Sequence, residues 1–252
     1  MPRGNKPRWT STGVKDGIEH VHIRKYRYFI DYIYENFTND SYIFRGHRKD
    51  TYKLESTLDR QIVNKLRILF SRESQLDTFK MAARGKRGTN PQQLNEPNEW
   101  WSLGQHHGLN TPLLDWTYSP FVAAYFAFFK TKGDDTKKRV IYALNKGKIE
   151  TYLRIKKKDD VTFFQPTSDE NPRVLNQNGL FTITKKGEEL ENWVHDNFAG
   201  ETKHILYKIF IPNSEREKCL ESLCTMNINH ITLFPDIYGA AIYTNIKAEL
   251  QL

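Results

Sequence analysis

Arginine at the end of a strand is a residue looking for an anion. In SYIFRGHRKDTYKLESTLDR, Ser41 to Arg60, the strand formers Tyr42, Ile43 and Phe44 lead into Arg45, which Gly46 follows, with His47 and Arg48 behind. A guanidinium placed there offers a planar, permanently charged fork suited to phosphate or carboxylate. Gly46, having no side chain, lets a ligand or a second backbone come close. The same charge could instead be paired with Asp115 or Asp236 and hold two segments together, because a desolvated guanidinium needs a partner in either case. The sequence leaves both readings open.

A second stretch, LGQHHGLNTPLLDWTYSPFVAAYFAF from Leu103 to Phe128, compresses several reactive groups. His106 and His107 can donate to phosphate or move protons near neutral pH. Adjacent helical residues diverge by about 100°, so the pair cannot clasp one metal ion, and no metal site is expected. Asp115 beside Trp116 is either a carboxylate tying its own loop or a functional acid. Thr117 and Ser119 stand before a helix N-terminus, where N–H groups and the dipole favour an anion. A plain N-cap is the alternative for them. In ITLFPDIYG, Asp236 either closes the turn after Pro235 or faces a cleft. Arg45 and Asp236 each follow a short apolar lead and stand beside a turn former. Such strand ends converge on one cleft, so Arg45, His107, Ser119 and Asp236 are expected to line a single pocket.

The elements that must position these groups follow from periodicity. Residues 1–16 are basic and contain Pro and Gly, and read as a flexible N-terminal segment. GIEHVHIRKYRYFIDYIYENF carries a helical face in its second half. Tyr42–Arg45 is a short strand, and STLDR opens a helical region, with a break, to about Ala83. ARGKRGTNPQQLNEPNE has almost no apolar anchor and reads as a mobile loop that could serve as a lid. WWSLGQHHGL is a short helix closed by Gly108, TPLLDW is extended, and SPFVAAYFAFFK is a core helix with Ser119 at its N-cap and Pro120 in its first turn. RVIYALN, ILYKIFIP and AAIYTNI read as strands, NPRVLNQNGLFTI as loop into strand, RIKKKDD as a solvated run, and SEREKCLESLCTMN as an amphipathic helix. The fold class is α+β, with a mixed or antiparallel central sheet, helices around it and long polar loops.

The chain of 252 residues is 38% hydrophobic and 13% aromatic, a composition that folds rather than one that stays disordered. A net charge of +8 favours an anionic partner, such as nucleic acid, a phosphate-bearing small molecule or an acidic surface. Cys219 and Cys224 lie on a helical segment without a Cys/His cluster, which indicates buried thiols in a reducing compartment and hence a cytoplasmic location. FVAAYFAFF is too short to span a bilayer, so no membrane association is expected.

YIFRG, the 103–128 stretch, RVLNQNGLF (173–181) and ITLFPDIYG together resemble the FRG-domain family, named for its Phe-Arg-Gly tripeptide. The specific part is the succession Gln-His-His-Gly, Thr, Leu-Leu-Asp-Trp-Thr, Ser-Pro and Ala-x-Tyr-Phe-Ala at short range. The resemblance runs roughly from Tyr42 to Tyr243, and residues 17–252 read as a single domain of that type. More remotely, FRG, DWTYSPFVAAYFA and LFPD fall in the order of the NAD-binding elements of ADP-ribosyltransferases, which implies a fold of that kind. Carried over, Arg45 would hold the pyrophosphate of NAD within a cofactor-binding wall of Gly46, His106, Thr111, Asp115 and Thr117. Asp236, His107 and Ser119 would form the catalytic set, Asp236 stabilising positive charge on the ribose as the glycosidic bond breaks.

Three functions are therefore open: an NAD-consuming enzyme of transferase or glycohydrolase type, suited to a toxin or phage-defence effector; a non-catalytic nucleic-acid-binding module whose basic surface tracks phosphates; and a scaffold, with a protein partner, in which the same residues only hold the core.

Overall fold

One mixed sheet of eight strands organises the chain. The computed structural model describes residues 6–39, 41–63, 71–130, 137–167 and 172–250. Its strands are β1 (Trp9–Lys15), β2 (Ile18–Ile23), β3 (Tyr42–His47), β4 (Leu114–Thr117), β5 (Lys138–Asn145), β6 (Val161–Phe164), β7 (Gly179–Thr184) and β8 (Leu206–Pro212), in the spatial order β1-β2-β8-β5-β3-β4-β7-β6. β2 and β8 run parallel, and every other neighbouring pair is antiparallel. β5 is buried from Arg139 to Asn145, which accounts for its unbroken apolar run: a strand covered on both faces has no solvent side to mark with polar residues.

Helices cover both faces. On one, α1 (Tyr26–Asn36), α5 (Pro120–Phe128), α9 (Arg216–Thr225), α10 (His230–Leu233) and α11 (Ile237–Leu250) close over a core that includes Phe29, Phe44, Phe128 and Leu223. On the other, α6 (Lys146–Lys156) and α8 (Leu190–Asn197) pack Ile149 and Trp193 onto Tyr142 and Leu206. At the β4–β7 end, α2 (Thr57–Val63), α3 (Arg72–Ala83), α4 (Pro97–His106) and α7 (Pro172–Asn176) gather around Leu58, Leu76, Trp101 and Phe181. Arg72 locks this end by gripping the buried carboxylate of Asp59 with two bonds, 2.9 and 2.7 Å. The α+β class with a mixed sheet is thus observed.

Several local expectations change. Trp9–Lys15 is an edge strand laddered to β2 rather than loose chain; its outward residues are polar because nothing covers that edge. Residues 1–5 lie outside those described. AAIYTNI belongs to α11, not to a strand, because Asp236 accepts the Gly239 N–H at 2.8 Å and starts a helix just upstream of the apolar run. The charged run Arg154–Lys156 ends α6. The 84–96 loop does carry an anchor: Leu94 is buried, and its carbonyl accepts from Trp100 Nε1 at 3.0 Å. Among the described residues no helix is long and apolar enough to cross a membrane, and no cluster of His, Cys, Asp and Glu could hold a metal ion.

Candidate functional site

β3 and β4 part company almost as soon as they meet. Their ladder has a single register position, Phe44 opposite Thr117, while β3 remains fully paired to β5 on its other edge, from Tyr42 to His47. Arg45 reaches into the resulting gap. Its Nη1 donates to the Asp115 carbonyl at 2.6 Å and to the Asp115 carboxylate at 3.3 Å, so a side chain stands in for the missing main-chain bond. Its Nε donates to His47 Nε2 at 2.8 Å. His47 must accept there, so its Nδ1 carries the hydrogen, donated to the Tyr52 carbonyl at 3.3 Å. Burial foremost, and the Arg45 charge second, push the His47 imidazole down to about 3, which keeps it neutral and an acceptor. Burial also lowers the Arg45 guanidinium from its ordinary value, opposed by Asp115; a guanidinium stays charged regardless.

Gly46 answers to a backbone rather than to a ligand. A Cβ there would lie 1.9 Å from the Ala123 carbonyl oxygen and 2.7 Å from the Ala127 nitrogen, so the glycine is what lets α5 lie directly on β3. That seat fixes Ala123 and Phe126 beside Arg45. Ser119 is the N-cap of α5, accepting from the Val122 N–H at 3.3 Å.

The Gln-His-His-Gly and Thr-x-Leu-Leu-Asp segments are wired to each other. Gln105 donates to the Asp115 carboxylate at 2.5 Å and accepts from the Thr111 hydroxyl. The carboxylate is held from two sides, by Arg45 and Gln105, yet its side chain is 59% exposed.

In front of Arg45 lies a cavity of about 360 Å³. Phe44, Trp116, Phe126, Phe181 and Phe234 form aromatic walls; Arg45, Gln105, His106, Asp115, Thr117, Arg173 and Gln177 supply the polar groups. Arg173 comes from α7 and is positioned by Asp236, 2.5 Å away, and by the Phe234 ring, 5.4 Å from its guanidinium carbon. The Arg173 bond, together with the N–H of Gly239, holds the Asp236 carboxyl below its usual range. Gln177 and Asn176 bond the Leu233 and Thr232 carbonyls at 3.1 and 3.0 Å, tying α7 to α10.

The residues singled out from the sequence therefore fall into two groups. Arg45, Gly46, His106, Asp115 and Thr117 line the cavity. Thr111 is buried behind it, bonded to Gln105; His107 is exposed at the C-terminal end of α4; Ser119 caps α5; and Asp236 stands behind Arg173 rather than on the wall. The expectation that Arg45, His107, Ser119 and Asp236 share one pocket is corrected on those grounds. Thr117 lines the wall with its hydroxyl already committed to the Gln177 carbonyl at 2.7 Å. The 84–96 loop contributes no residue to the cavity wall as it stands. Sequence reading passed over His47, Gln105, Arg173, Phe126 and Phe234, although each lies in or beside a motif: Phe234 stands in ITLFPDIYG two positions before Asp236, and Arg173 opens the RVLNQNGLF stretch.

Residues 40–136 match the FRG domain family. The FRG resemblance is thus borne out over that span. The matched span contributes Arg45, Gly46, Gln105, His106, Asp115, Thr117 and Phe126 to the cavity, while Arg173, Gln177, Phe181 and Phe234 come from beyond it, so the FRG segment closes its cleft with chain lying outside the match. No curated protein and no solved structure matches this chain.

Proposed function

We propose that the FRG-domain cavity binds a nucleotide, and that its substrate is NAD, cleaved at the N-glycosidic bond for ADP-ribosyl transfer or hydrolysis. One observation carries the reading: Arg45 and Arg173 stand on the wall of a cavity faced with five aromatic rings, with the Asp115 carboxylate among them. Rings suit a base or nicotinamide, and guanidinium forks suit phosphate oxygens. When the glycosidic bond breaks, its electron pair leaves on the nicotinamide nitrogen and the ribose carbon becomes oxocarbenium-like. A carboxylate beside that carbon stabilises the charge, and a water or a target nucleophile then adds and loses its proton. Asp115, not Asp236, occupies the wall where that role can be filled, oriented by Gln105 and Arg45. Asp236 acts one step back, by positioning Arg173.

The test is incubation with NAD and cellular macromolecules, followed by mass spectrometry for free nicotinamide and for ADP-ribosylated species. Release that Arg173→Ala slows supports the reading; an intact NAD pool after prolonged incubation overturns it. The nucleic-acid-binding alternative draws on the net charge of +8 and on the 84–88 run of arginine, lysine and glycine, in which Arg84 and Lys86 are exposed. It requires affinity that collapses with salt and leaves NAD untouched.

A further inference from the structure

The wall bearing Arg45 has a second side. Behind it lies another cavity of about 360 Å³, bounded by the 47–60 segment, the end of α5 and the start of β4. Arg45, Gly46, Asp115 and Phe126 line both cavities, so the two spaces adjoin along that shared wall. Their characters differ. The first is walled by five aromatic rings; the second is cationic, with Arg48, Lys53, Arg60 and Lys130 joining Arg45 on its walls. Two carboxylates oppose this charge. Asp115 is engaged by Arg45, and Glu55, its carboxyl raised by burial, is drawn the other way by Lys53 and Arg60. Lys53 is spoken for by Glu189 at 3.2 Å. Arg60 and Lys130 form no ion pair among the described residues, although Arg60 acts on Glu55 at longer range, and the Arg60 charge acts on Arg45 as like-charge repulsion. Cations gathered at such a spot repel one another until an anion arrives.

We infer that the two cavities are one bipartite site for a nucleoside carrying two or more phosphates, its ring in the aromatic chamber and its phosphate chain passing Arg45 into the cationic one. This rests on the reading that the first cavity takes a nucleotide, and adds to it a direction and a minimum charge for the ligand. NAD meets the requirement through its diphosphate, and so does a nucleoside di- or triphosphate.

The experiment is titration calorimetry of the full chain at low salt, in chelator, with adenosine, AMP, ADP and ATP, with NAD, and with inorganic triphosphate. Each charge-assisted contact to a phosphate is expected to strengthen binding about tenfold along the adenosine series. Arg60→Glu and Lys130→Glu alter exposed side chains, leave the melting temperature alone, and should flatten the series towards the affinity of AMP. Inorganic triphosphate, lacking a ring, should bind at least tenfold more weakly than ATP. A flat series, with adenosine and ATP bound equally and NAD still bound, overturns the bipartite site while the nucleotide reading stands. Equal binding of triphosphate and ATP overturns it too, by removing the aromatic chamber from recognition. If neither the series nor NAD binds at all, the nucleotide reading itself falls.

Discussion

Arg45 and Asp115 form a side-chain splice across a split sheet: Nη1 meets the Asp115 carbonyl at 2.6 Å and its carboxylate at 3.3 Å, at the point where β3 and β4 have only one ladder position between them. The contact therefore has a structural duty as well as a place on a cavity wall. The structural pairing with Asp115 is thus realised, and the same guanidinium still faces two cavities.

Arg45→Lys tests how much of the splice is structural. Lysine can keep one contact but cannot reproduce the fork or the bond to His47. Bonds to charged groups contribute about 1.5–3 kcal/mol each, and the Nε bond to His47 is lost while the Asp115 contact is kept, so a loss of about 1.5–3 kcal/mol in urea unfolding is expected. A variant as stable as the parent would mean that the arginine is kept for a ligand alone.

Gly46→Ala should be far more damaging despite adding only a methyl group. The new Cβ would meet the backbone of α5, 1.9 Å from the Ala123 oxygen, and backbone in a core helix cannot step aside as a flexible side chain can. A cost of about 3 kcal/mol or more is expected, a fall of roughly 6–12 °C in Tm for a chain of this size. An unchanged Tm would show that α5 is free to shift, and that the tripeptide glycine serves something other than packing.

How much of this was legible depends on how local its cause is. The β3 strand, the Ser119 cap and the Pro120 start are written in neighbouring residues, and all three appear where the sequence puts them. Asp115 could be named as a partner for Arg45, but not chosen over Asp236, because the choice rests on where the β3–β4 ladder stops, and register is a tertiary outcome. Asp236 reads as a cleft acid until Arg173 is seen to claim it from α7, a contact made by packing α7 against α10 and invisible to spacing. β1 reads as loose because its side chains are polar; what holds it is main-chain bonding to β2, to which composition is blind.

Two buried histidines set the acid sensitivity. His47 is held down to about 3 and His230 to about 4, burial being the largest cause in both. In the unfolded chain each takes up a proton near 6.5, whereas in the folded protein neither does until much lower pH. The unfolded state thus binds more protons below pH 6.5, and stability falls as pH falls from about 6.5 towards 4. Each histidine contributes a slope of at most about 1.4 kcal/mol per pH unit. Urea unfolding at pH 7.0, 6.0 and 5.0 should show the decline before the carboxylates begin to titrate, and His47→Gln should remove about half of it. A flat profile over that interval would mean that both imidazoles reach water.

The two aspartates separate chemistry from scaffolding. Asp115→Asn keeps the carbonyl that Arg45 bonds and an amide that can still meet Gln105, so folding and NAD binding should survive. It deletes the negative charge beside the cavity. If that charge stabilises an oxocarbenium-like ribose, turnover should fall by about a hundredfold or more with KM little changed, the pattern of an interaction made only in the transition state. Asp236→Asn should do the reverse. Asparagine still caps α11 well, so the fold holds, but Arg173 loses its charged partner and the fork is no longer fixed at the cavity wall. Its mark should be a raised KM with kcat retained. Should Asp236→Asn abolish turnover while Asp115→Asn spares it, the acidic group would have to swing in from behind Arg173, and the assignment of Asp115 would be wrong.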